Sequence, residues 1–204
     1  MPLSAEASEL ERMWSDAFGV AYTARNAAAD AHAGERHHAL GTRLAARDVL
    51  EVGCNLGLNL TRMAEDPRFE VTGVDVCREA LRQARKRLPT ARFVRATAYR
   101  LPFAPGTFDW VFTCGVLIHL APVDLGLALA ELARVSRRYV WIGEYYSPAP
   151  EVVPYRGKSR ALFKCDFGAA FRQSVPDACL RDTGFWSKAE TGFDDLTWWL
   201  FEKA

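Results

Sequence analysis

The chain has 204 residues, half of them apolar and a quarter charged, and a formal net charge of +1. That size predicts one domain with a substantial buried core, and near-neutrality argues against a nucleic-acid partner, which calls for a basic surface. Five scattered cysteines (Cys54, Cys77, Cys114, Cys165, Cys179) with no C-x-x-C exclude a disulfide framework or structural zinc and fit reduced thiols in the cytoplasm. The N-terminus has no apolar stretch of signal-peptide type and no later run is long enough to span a membrane, so a soluble, cytoplasmic chain is expected.

Residues 4 to about 45 read as helix, loop, helix. "SELERMWSDAF" offers Ser8 as a cap, with Leu10, Met13, Trp14 and Phe18 at helical spacing. From residue 48 the pattern changes. "VLEVG" (49–53) reads as a strand, followed by a helix over 58–64, and "EVTGVD" (70–75) as a second strand. "REALRQARKRL" places Ala80, Leu81, Ala84 and Leu88 on one helical face, and Pro89 stops it. "ARFVRA" (91–96) and "FDWVFTCG" (108–115) read as strands three and four. "DLGLALAELARV" (124–135) reads as a helix with Asp124 near its positive end, and "YVWIGEYY" (139–146) as a fifth strand. The basic run Arg82 to Arg87 is a solvated helix face.

Strands alternating with helices, each strand nearly continuously apolar, predict a parallel sheet covered on both faces. The tail departs from this rhythm. "EVVPYRG" reads as a Pro/Gly-rich connection and "DFGAAFRQS" as a short helix. "CLRDTGFWS" and "DLTWWLFEK" then read as an antiparallel pair of strands. In the last strand Trp198 and Trp199 point to opposite faces. The expected whole is an α/β, doubly wound, seven-stranded, mostly parallel sheet with a reversed last strand. Residues 1–45 would form a helical lid, 46–146 a cofactor-binding core and 147–204 a substrate-side tail.

Ligands of open α/β sheets sit outside the carboxyl ends of the strands. The first strand ends at Gly53-Cys54-Asn55-Leu56-Gly57, and Asp75 ends the second, where a carboxylate can accept both hydroxyls of a ribose. Close-set G-x-G-x-x-G glycines would admit a pyrophosphate. Here the glycines are four apart and Glu51 precedes them, which disfavours a pyrophosphate and suits a cofactor with a cationic end. These residues resemble the E-x-G-x-G-x-G motif of class I methyltransferases that use S-adenosylmethionine (SAM), a Rossmann-like fold. Asn55 departs at the middle glycine but tolerates positive φ, and its amide can donate to the cofactor's carboxylate. "LPFAPGTFDWVFTCGVLIHL" and "LAELARVSRRYVWIGEYY" resemble later segments of that family.

The resemblance implies SAM as cofactor, S-adenosylhomocysteine as product, and a binding set of Glu51, Gly53, Cys54, Asn55, Gly57, Asp75, Val76 and Cys114. The family usually has Asp where this chain has Thr97, so adenine is expected on Thr97, on the Ala98 backbone, or on both. A narrower resemblance, in "FGVAYTARN", "EYYSPAPEVVPYRG", "LFKCDF" and "DDLTWWLFEK", is to methylases associated with pseudaminic acid biosynthesis. By it Tyr22, Arg25 and Asn26 line a lid over the cofactor, with Arg25 a candidate for an anionic group.

On the acceptor side, Cys114-Gly115-Val116-Leu117 lacks the [DNS]-P-P-[YFW] of nucleobase amine methylation. No Pro-Cys nucleophile and no catechol-type magnesium cluster are present. A small soluble acceptor remains. Glu144 beside Tyr145 and Tyr146 reads as a receptor for a planar cation, pointing to N-methylation of an amidine, guanidine or amine. Tyr155, Arg156 and Lys164 can bind the rest of the substrate. His119 is a candidate base, which keeps O-methylation of a sugar or other small alcohol as the alternative. A SAM-binding module without catalysis is the alternative from another class, and a nicotinamide dehydrogenase the least expected. His32, His37 and His38 sit in a polar segment, "HAGERHH", without a carboxylate at metal-ligand spacing, so no metal is expected. The sequence leaves the oligomeric state open.

Overall fold

The computed structural model describes residues 2–26, 33–191 and 194–203. Three helices open the chain: α1 (Ala5–Ser15), α2 (Ala17–Asn26) and α3 (Ala33–Arg43). His32 lies outside the described residues. The cap of α1 is Ser4 rather than Ser8: its hydroxyl accepts the Ala7 N–H at 3.1 Å, while Ser8 donates to the Ser4 carbonyl. Ser4 also donates through its N–H and its hydroxyl to the buried carboxylate of Asp124. Asp124 therefore anchors the N-terminal helices to the body instead of capping its own helix.

The main sheet is built from β1 (Asp48–Val52), β2 (Glu70–Asp75), β3 (Arg92–Arg95), β4 (Phe108–Cys114) and β5 (Ser136–Glu144), all parallel, with the short α4 (Thr61–Ala64), then α5 (Arg78–Arg87) and α6 (Leu125–Val135) as crossovers. β5 begins three residues before the expected Tyr139 and ends before Tyr145. After it come β6 (Glu151–Tyr155), β7 (Lys158–Lys164), α7 (Phe167–Ser174), β8 (Cys179–Trp186), α8 (Lys188–Thr191) and β9 (Leu196–Glu202). The sheet order is β3-β2-β1-β4-β5-β9-β8, with β9 antiparallel to both of its neighbours. The reversal of strand order therefore falls beside β1, where ligands of such sheets bind.

The expected connection "EVVPYRG" is instead half of a separate hairpin, β6 against β7. Arg156 and Gly157 both have positive φ, 48° and 78°, the conformation a two-residue turn needs to match strand twist. Arg-Gly is a poorer sequence signal for that turn than Asn-Gly, which explains the miss.

The core has two apolar layers, one on each face. Val111 joins Leu50, Val52, Leu129 and Phe201 on one side, while Trp110 and Phe112 join Val49, Met63 and Trp141 on the other. Trp199 packs in the first layer and Trp198 against the second, as period-two alternation requires. His37, read from the sequence as part of a polar segment, is 2% exposed and stacks on Phe112, centroids 4.8 Å apart. His38 finds its carboxylate far along the chain, in Asp66 at 2.8 Å.

Candidate active site

The turn after β1 forms as its composition demands. Gly53, Asn55 and Gly57 have φ of 78°, 46° and 72°, so the middle position takes the left-handed conformation that Asn tolerates best among non-glycine residues. A Cβ on Gly53 would meet the Val116 side chain at 2.3 Å; the loop after β4 packs directly on this turn. Asp75 closes the arrangement from β2. One of its oxygens accepts the Asn55 N–H and the other the Cys77 N–H, each at 2.8 Å. Burial raises the carboxyl's pKa against those bonds and one from the Val76 N–H.

Above the turn lies a cavity of about 430 Å³. Of the residues singled out from the sequence, it is lined by Tyr22, Asn26, Glu51, Gly53, Cys54, Asn55, Asp75, Val76, Thr97, Ala98, Cys114, His119 and Tyr145. Glu51 is 2% exposed; one oxygen accepts the Asn59 amide at 2.7 Å and the other is buried without a partner. Burial pushes this carboxyl up to about 8, with Asn59 opposing and the Asp75 charge adding to it. An orphaned carboxylate oxygen facing a cavity calls for a donor or a cation. Burial likewise holds the Cys54 and Cys114 thiols protonated, so neither is a nucleophile.

α1 and α2 cover one side of the cavity. Thr23 shares its hydroxyl proton between the Gly19 carbonyl at 2.9 Å and Asn55 Oδ1 at 3.0 Å. α2 is thereby tied to Asn55 at the middle of the turn. The Tyr22 hydroxyl is bonded to Asn26 and its pKa is raised by burial. Arg25 is exposed, its guanidinium 5.8 Å from the Tyr22 ring centre, and does not line the cavity.

Glu144 does not stand in the cavity, which corrects its reading as the receptor for a cation. It is fully buried; one oxygen accepts the N–H groups of Val116 and Leu117 at 3.0 and 2.9 Å, the other that of Ile118 at 3.4 Å. Burial pushes its carboxyl up to about 8, with the three N–H groups opposing. Its work is to hold the loop after β4. Tyr145 and Tyr146 lie beyond the strand end and part company. Tyr145 lines the cavity and donates to Asp194, a contact that, with burial, keeps its hydroxyl protonated. Tyr146 is 44% exposed beside Trp199 and away from the cavity lining. Arg156, on the hairpin turn, covers the Tyr155 ring, and Lys164 sits opposite Glu151 in the hairpin register; neither is part of the lining.

His119 does face the cavity. Its Nδ1 lies 2.6 Å from the Ala161 carbonyl of β7, so Nδ1 carries the hydrogen and Nε2 the free lone pair. Burial lowers its pKa to about 4. The ring packs against Trp14 at 4.4 Å and Tyr155 at 5.1 Å. Sequence reasoning missed Glu11, Trp14, Thr23 and Asp194 as lining residues, since only the fold brings α1, α2 and the segment before β9 over the β1 turn, and it missed Asn59, whose amide reaches back eight residues to Glu51.

Residues 49–138 match the methyltransferase domain family. Curated relatives of this domain include the trans-aconitate 2-methyltransferase of Afipia carboxidovorans, 37% identical over 34% of this chain and 30% of its own length. The malonyl-[acyl-carrier protein] O-methyltransferase of Legionella pneumophila is 36% identical over 46% of this chain and 34% of its own. The chain thus spans about a third of the length of the curated relatives it matches. Among solved structures, the methyltransferase fold here matches the 1,6-didemethyltoxoflavin-N1-methyltransferase of Burkholderia thailandensis. The TM-score is 0.77 at 20% identity, covering 100% of this chain and 92% of that one, which carries 1,6-didemethyltoxoflavin and S-adenosylhomocysteine. No helix among the described residues is long and apolar enough to cross a membrane.

Proposed function

We propose that the chain is a cytoplasmic enzyme that moves a methyl group from SAM to a weakly basic nitrogen of a planar small molecule. The geometry above supports the cofactor set. The orphaned oxygen of Glu51 suits an ammonium, and the Asp75 carboxylate at the end of β2 suits a ribose hydroxyl. SAM supplies a methyl carbon already activated by its sulfonium, which leaves positioning and proton removal to the protein.

The observation that carries the choice of nitrogen is His119. Held neutral, with its hydrogen fixed on Nδ1 by the Ala161 carbonyl, it presents an acceptor to an aromatic-walled space. A base of pKa about 4 takes the proton from a nitrogen made acidic by methylation, as in an aryl amine or a heteroaromatic N–H. It is too weak to ionise an alcohol. A strongly basic guanidine or aliphatic amine would need a free carboxylate, and Glu144 is committed to its loop. Among the proteins compared, the neighbour with bound 1,6-didemethyltoxoflavin is named an N1-methyltransferase, which supports a nitrogen acceptor. The narrower placement among methylases associated with pseudaminic acid biosynthesis rests on the sequence stretches alone and would set the pathway.

The test is incubation of the full chain with SAM and a panel of heteroaromatic N–H, aryl amine, alcohol and carboxylate acceptors, reading S-adenosylhomocysteine release and the methyl position by NMR. Methyl on nitrogen, lost by about a hundredfold in His119→Ala with unchanged S-adenosylhomocysteine affinity, is the expected result. Methyl on oxygen overturns the choice of acceptor, and cofactor binding without turnover of any acceptor overturns catalysis.

A further inference from the structure

Apolar residues line the cavity beyond Asp75. Val76, Ala98 and Leu120 line it, and Leu10 of α1 belongs to the same packed cluster as Ala98 and Tyr99. Thr97, the nearest side-chain hydroxyl on this strip, already accepts the Tyr99 N–H at 3.4 Å. One charged group enters this end: Glu11, next to Leu10 on the lid helix, half-buried and lining the cavity. Among the described residues it takes part in no hydrogen bond and no ion pair. Its charge is felt at the Tyr99 hydroxyl, whose pKa is pushed up to about 12, mainly by burial, with Asp124, Glu11 and Glu6 adding.

A carboxylate accepts hydrogen bonds and donates none. A nucleoside whose ribose is held by Asp75 extends its base toward this apolar end. Of the edges an adenine offers there, only the exocyclic amine is a donor. We infer that Glu11 accepts the adenine amine, so that the lid helix reads the identity of the cofactor's base. The inference rests on the SAM reading above. It also gives the lid a reason to close: the base completes a bond that the free protein leaves open, adding to the Thr23–Asn55 contact at the other end of the lid.

The experiment compares S-adenosylhomocysteine with S-inosylhomocysteine, in which a carbonyl replaces the amine, by calorimetry on the full chain. The wild type should prefer the adenosyl compound by at least about tenfold, the scale of a hydrogen bond to a charged acceptor. Glu11→Ala should erase that preference. Glu11→Gln should improve binding of the inosyl compound, because its amide N–H can donate to the carbonyl; a merely damaged lid cannot produce that gain. Equal preference in wild type and both variants, with S-adenosylhomocysteine still bound, overturns the role of Glu11 and leaves the cofactor reading standing. No binding of S-adenosylhomocysteine to the wild type overturns both.

Discussion

Truncating Glu144 tests whether its carboxylate serves the fold or the acceptor. In Glu144→Ala, three buried N–H groups lose their only acceptor. The two good bonds, at 3.0 and 2.9 Å, and the longer one at 3.4 Å convert to unsatisfied donors costing about 1–2 kcal/mol each. The missing methylenes add about 1 kcal/mol of lost packing, for a total of about 5 kcal/mol. That is comparable to the whole stability of a marginal domain. Glu144→Gln keeps a carbonyl for Val116 and Leu117 and fails only Ile118, a loss of about 1–2 kcal/mol. In a chain of this size about 1 kcal/mol moves the melting point by about 2–4 °C, so Gln should melt about 3–6 °C low and Ala well over twice as far. Scanning calorimetry measures this, and S-adenosylhomocysteine titration below the transition should show cofactor affinity kept in the Gln variant. If both variants melt with the wild type and lose turnover alone, Glu144 is a substrate group and the loop-anchor argument fails.

Three further outcomes follow from the site. Glu51 has a native pKa near 8, above its unfolded value, so its contribution to stability is full below about pH 4 and is lost as pH rises through 8. Glu144 shares that direction. The melting point of the free protein should therefore fall from about pH 5 to 8, less steeply in Glu51→Gln, and ammonium-bearing S-adenosylhomocysteine should release up to about one proton on binding at neutral pH, read by calorimetry in buffers of different ionisation enthalpy. His119, lowered to about 4, is neutral well below pH 6.5, so the acid limb of kcat/KM should lie below about pH 5; a limb near 6.5 would contradict its burial. Asn55→Gly keeps the φ of 46° at little strain and loses the Thr23 bond, whereas Asn55→Ala also pays about 1–2 kcal/mol for the left-handed conformation; a melting series Asn, Gly, Ala in descending order is expected.

How far these features could be read in advance depended on whether their causes were local. The parallel sheet announced itself because each strand carries its own apolar run. Asn55 could be placed in a left-handed conformation because the turn's demands are met within five residues. Asp75 ending β2 was legible for the same reason. Glu144 was misread because its neighbours in sequence, Tyr145 and Tyr146, suggested a receptor, while its partners are backbone N–H groups 26–28 residues away. His37 was misread because the residues around it are polar, although a single turn of α3 delivers its ring onto Phe112. Glu11 carried no signal at all: an acidic residue in the first helix is ordinary until the fold lays that helix over the end of the β1–β2 crevice.

The hydrogen bond that sets the tautomer of His119 goes to the main chain of β7, at Ala161, and not to a side chain. Every amino acid brings the same carbonyl, so point mutations along this hairpin leave the orientation of the imidazole untouched as long as the strand pairing survives. Outward positions such as Glu151, Arg156 and Lys158 are then free to diverge. A lineage with this architecture can vary the hairpin's exposed face while the hydrogen on Nδ1 of His119 stays where the main chain puts it.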